Sequence, residues 1–64
     1  MTMEQLKLKI KGRLEFTLQT REEYSKDLDK ARVDTYEFTQ SLAMYNYYDG
    51  KAEAYETVLH DMGE

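Results

Sequence analysis

The side chains able to do chemistry in this 64-residue chain are few: one histidine, no cysteine and 13 carboxylates against nine basic residues. His60 lies near Asp61 and Glu64. Metal ligation needs three or four converging donors, and proton transfer needs a nucleophile or reacting group within reach, neither of which the sequence places around a lone imidazole. A solvated histidine in the last turn of a helix, where the dipole favours a cation, accounts for it. No phosphate-cradling glycine loop, nucleophile elbow or Cys/His cluster is present, so the chain reads as a non-enzyme with no catalytic, cofactor or metal site.

Two charged stretches offer binding chemistry. Glu22, Glu23, Asp27, Asp29, Asp34 and Glu37 form an acidic run, but Arg21, Lys26, Lys30 and Arg32 are interleaved with them at helical spacing. That pattern describes a solvated, ion-paired helix face better than a nucleic-acid mimic. Lys7, Lys9, Lys11 and Arg13 form a basic run that a helix would spread around most of its circumference. With a net charge of −4, the balance disfavours a general phosphate-backbone binder.

Tyrosine carries the remaining signal. There are six, with four methionines, and Met44, Tyr45, Tyr47 and Tyr48 crowd around Asn46. Tyrosine presents a large apolar ring with few rotatable bonds and a polar tip, and it is enriched with methionine at protein interfaces.

The elements that must position these residues are helical. The chain has no proline and three glycines, so it contains few helix breakers. Leu6, Leu8, Ile10, Leu14, Phe16 and Leu18 alternate with polar residues, which is strand periodicity. A two-residue turn at Lys11-Gly12 would set apolar against polar on both faces, however, and the segment is built mainly from good helix formers. Read as helix, Thr2 and Gln5 form a capping box, and Met3, Leu6, Ile10, Leu14, Thr17 and Arg21 begin a seam that continues through Tyr24, Leu28 and Ala31. A second box, Asp34 with Glu37, starts another helix whose seam reads Phe38, Leu42, Tyr45, Ala52, Tyr55, Leu59.

The expected fold is all-α: one domain, 1–64, forming an antiparallel two-helix hairpin of coiled-coil type, with helix 1 over about 3–32 and helix 2 over about 35–62. The heptad phase runs on past the break, so a single long helix is the competing reading. In the hairpin, Gly12 falls near Tyr55 and Gly50 near Phe16 or Thr17, where a missing side chain would admit a ring or a close crossing. A hairpin this small buries little apolar surface, so oligomerisation into a helical bundle is expected, a homodimer being the simplest form. The lack of cysteine, of a bilayer-length apolar run and of a signal-peptide layout places the expected location in the cytoplasm, with no membrane partner.

Helix 2 has more apolar surface than one partner helix covers. Tyr36, Ala43, Tyr47, Ala54 and Val58 recur at steps of seven and four on the side away from the seam. With Met44 and Tyr48 from the aromatic cluster, these are the expected partner-binding residues, facing either another protein or a second copy.

Residues 47–59, Tyr-Tyr-Asp-Gly-Lys-Ala-Glu-Ala-Tyr-Glu-Thr-Val-Leu, together with 10–16, Ile-Lys-Gly-Arg-Leu-Glu-Phe, resemble short coiled-coil accessory proteins of bacteriophages and prophages of Gram-positive bacteria. The resemblance covers about a third of the chain. It implies a phage product that binds and blocks a host or defence protein, CRISPR machinery included, in the host cytoplasm. Two other readings stand beside it: a self-associating four-helix-bundle protein, and an RNA-binding hairpin dimer similar in length and layout to the plasmid regulator Rop.

Overall fold

A computed structural model, which describes residues 1–63, contains two antiparallel helices: α1 (Met3–Lys30) and α2 (Tyr36–Asp61). They form a rod of 47 × 15 × 15 Å, the length expected of about 28 residues rising ~1.5 Å each. The segment that alternates like a strand lies wholly within α1. Its alternation survives in another form: Leu8 and Phe16 stand off the seam, 68% and 66% exposed.

α1 begins at the capping box expected for it. The Gln5 amide donates to the Thr2 hydroxyl at 3.1 Å, and the Thr2 amide donates to the Gln5 side chain at 2.9 Å. α2 begins one residue later than the Asp34–Glu37 box implied, with Thr35 as N-cap. The Thr35 hydroxyl accepts from the Phe38 amide at 3.2 Å and donates to the Arg32 carbonyl at 2.7 Å, closing the turn. A carboxylate can only accept, so Asp34 cannot do both, and it pairs instead with Arg32 at 3.5 Å.

The heptad row of Ile10, Thr17, Tyr24 and Ala31 runs on across the turn as Phe38, Tyr45, Ala52 and Leu59, seven residues apart. In α2 the residues facing α1 run Phe38, Ser41, Tyr45, Tyr48 and on through Ala52, Tyr55 and Leu59, alternating steps of three and four. Leu42, expected in the seam, is 40% exposed, and Ser41 is half-buried in its place. The repeat of seven is kept and only its companion row differs: α1 sets Leu14, Arg21 and Leu28 beside it, four residues on, whereas α2 sets Ser41, Tyr48 and Tyr55, three residues on.

Three interactions fix the register. Arg21 donates to Asp49 at 2.7 Å across the helices, and the Tyr24 and Tyr48 rings stack at 5.8 Å with planes 13° apart. Four residues back along α1 and three on along α2, Thr17 and Ala52 are buried to 3% and 1% exposure, so small side chains let the helices meet closely. The Thr17 hydroxyl is satisfied by donating to the Arg13 carbonyl at 2.7 Å. Leu59 is the only other buried residue among those described, and no large side chain is fully enclosed.

The mid-helix glycines do not serve the hairpin. A Cβ placed on Gly12 or Gly50 would meet nothing within 4 Å, so neither admits a ring or a close crossing within the chain. Gly12→Ala and Gly50→Ala should each therefore stabilise the fold by about 1 kcal/mol, raising the midpoint of a thermal melt by about 4–8 °C apiece. A lower midpoint for either would mean that the glycine is needed in place.

Candidate functional site: the outer face of the second helix

α2 presents its seam to α1, and its opposite side is open. Tyr36 is 74% exposed, Tyr47 56% and Val58 43%, and Ala43 and Ala54 are exposed with them. At about 100° per residue, Tyr36, Ala43 and Gly50 share the line opposite the seam, with Tyr47 and Ala54 on its shoulder. A hydrophobic ring, small side chains and a bare glycine thus lie on one rigid helix, a shape that lets another helix or strand approach closely. Tyr47 is held by neighbours on its own helix: its ring meets Tyr48 edge-on at 5.1 Å, and Lys51 Nζ sits 5.6 Å from its centroid.

The two remaining residues of the expected set are placed differently. Tyr48 is half-buried and belongs to the helix–helix seam through its stack on Tyr24. Met44 is half-buried and lines a groove between the helices near the turn, with Tyr24, Asp27, Glu37 and Ser41. The cluster at 44–48 is thus divided: Tyr45 and Tyr48 pack inward, Tyr47 points out, and Met44 lies at the edge between.

Residues outside the expected set extend the apolar surface. Phe16 is exposed beside a second groove on the same side of the hairpin as Met44, shared with Lys9, Gly12, Arg13, Lys51 and Tyr55. Val33, in the turn, is 77% exposed. The alternation within residues 6–18 was the signal for Phe16, since a period of two on a helix must throw some apolar residues outward.

His60 is exposed in the last turn of α2. Among the described residues there is no group of three histidine, cysteine, aspartate or glutamate side chains able to hold a metal ion. The basic run does not form one face: Lys9 and Arg13 line the second groove, and Lys7 lies half-buried towards the seam. No helix of the described residues is long and apolar enough to cross a membrane. No family model, curated protein or solved structure matches the chain.

Proposed function

We propose that this chain is a non-catalytic protein-binding module that acts by covering a surface on another protein with the outer face of α2. The observation that carries this reading is the contrast between that face and the seam. The hairpin leaves Tyr36 74% exposed and Tyr47 56% exposed, although each carries a large apolar ring. Apolar rings retained on a solvated face mark a surface that another protein covers.

The resemblance of residues 47–59 and 10–16 to phage accessory proteins gives this module a biological class: an inhibitor that occludes a host or anti-phage defence protein, CRISPR effectors among them, in the bacterial cytoplasm. Plaque counts test that class. Expression of the chain in a Gram-positive host that restricts a phage through such a defence should raise plating efficiency, and Tyr36→Asp should abolish the rise. Unchanged plating across the host's defence systems would remove the inhibitor reading.

Self-association is the second reading. The hairpin exposes 4,922 Å², whereas a compact 7.6 kDa monomer is expected to expose about 4,300 Å².

A further inference from the structure

The two grooves lie on one side of the hairpin and carry opposite charge. Arg13, Thr20 and Asp27 recur every seven residues along α1, and Glu37, Met44, Lys51 and Val58 do so along α2, so these rows flank the seam on the same face. Towards the open end the groove is lined by Lys9, Arg13 and Lys51 with no acidic residue. Towards the turn it is lined by Asp27 and Glu37 with one cation, Lys30. Among the described residues none of Lys9, Arg13, Asp27 and Glu37 is ion-paired within the hairpin, whose ion pairs lie elsewhere. One face is therefore basic at one end, acidic at the other, and apolar between, with Phe16, Met44 and Tyr47 around its centre.

A face of this pattern is complementary to its own reverse. We propose that it binds a second copy of the chain, antiparallel, about a two-fold axis crossing Thr20. This deepens the reading of the chain as a protein-binding module by naming one occupant of its surface, and it rests on that reading. Thr20 stands seven residues from Arg13 and seven from Asp27, so the axis lays Arg13 of each copy on Asp27 of the other. At the same level on α2, which the Arg21–Asp49 pair sets at Gly50, it brings Tyr47 and Lys51 of each copy beside those of the other. The assembly is an isologous four-helix bundle, α1 against α1 and α2 against α2. Parallel stacking would instead lay basic end over basic end. The turn tips, with Val33 and Tyr36, stay uncovered at both ends of the bundle and remain available to another protein.

Because the chain has no cysteine, a single introduced one is unique. Thr20→Cys, on the axis, should form a disulfide-linked dimer under mild oxidation, whereas Gln19→Cys, on the outer side of α1, should not. Sedimentation equilibrium over a hundredfold range of concentration should show a reversible dimer. Arg13→Asp and Asp27→Arg should each weaken it on the order of tenfold, and the two together should restore it, because the swapped charges again meet their opposites. A monomer at every concentration, crosslinking that is equal at 19 and 20, or single and double variants that are equally weak would each overturn the proposal. The Tyr36→Asp plaque assay does not depend on this dimer, so the two readings can fail separately.

Discussion

An Ala52→Asp chain is expected to lose the cooperative thermal transition of the hairpin and most of its helical circular-dichroism signal at room temperature. Ala52 is 1% exposed in the helix–helix seam, and Thr17, the buried residue of α1, has its hydroxyl committed to the Arg13 carbonyl. The Arg21 guanidinium, one turn along the seam, is already held by Asp49. Burying an unpaired charge costs several kcal/mol, or else forces the helices apart. A hairpin of this size rarely has more than about 3–5 kcal/mol to lose. The control is the same substitution on the open side: Ala54→Asp should change stability by no more than about 0.5 kcal/mol. If both variants melt like the parent chain, the seam does not run through Ala52.

The second large effect falls on binding and leaves folding alone. Tyr36 is the first residue of α2 and is 74% exposed, and an acidic residue in a helix's first turn is favoured by the dipole. Tyr36→Asp should therefore keep or slightly raise the melting temperature. Aromatic anchors at the centre of an interface are commonly worth about 2 kcal/mol or more, so partner affinity should drop by about thirtyfold or further. Tyr47→Asp should act in the same direction with a small folding cost, because its ring also packs on Tyr48. A titration in which affinity is unchanged and only the melt moves would make Tyr36 a folding residue.

What could be read in the sequence divides along physical lines. The hairpin followed from helix formers, a capping box at Thr2 and two apolar seams, since these depend on neighbours three or four residues apart. The starting residue of α2 did not follow, because Asp34 and Thr35 are both good caps in isolation, and only the closing turn needs a side chain that accepts and donates at once. Leu42 stays outside the seam because the row beside Phe38, Tyr45 and Ala52 is the one three residues on, through Ser41 and Tyr48, and a heptad pattern fits either row. Tyr48 does not stand apart from Tyr47 in the sequence, since neither falls on the expected seam of Phe38, Leu42, Tyr45 and Ala52. Their separation into inward and outward rings is fixed by the stack on Tyr24, a partner 24 residues away along the chain. The outward stripe of Tyr36, Ala43, Tyr47, Ala54 and Val58 needed only one helix's period, and the structure leaves all five exposed. The two-ended charge of the grooved face could not be read from either helix alone, since each end takes charges from both.

The central claim, that the outer face of α2 is a protein-binding surface, is tested most directly by paired affinity capture. The tagged chain and its Tyr36→Asp, Tyr47→Asp double variant, shown by circular dichroism to be equally helical, are passed through lysate of a Gram-positive host and the retained proteins compared by mass spectrometry. The claim predicts at least one protein that is held by the parent chain in stoichiometric amount and lost from the variant. Identical retained sets from the two chains would contradict it.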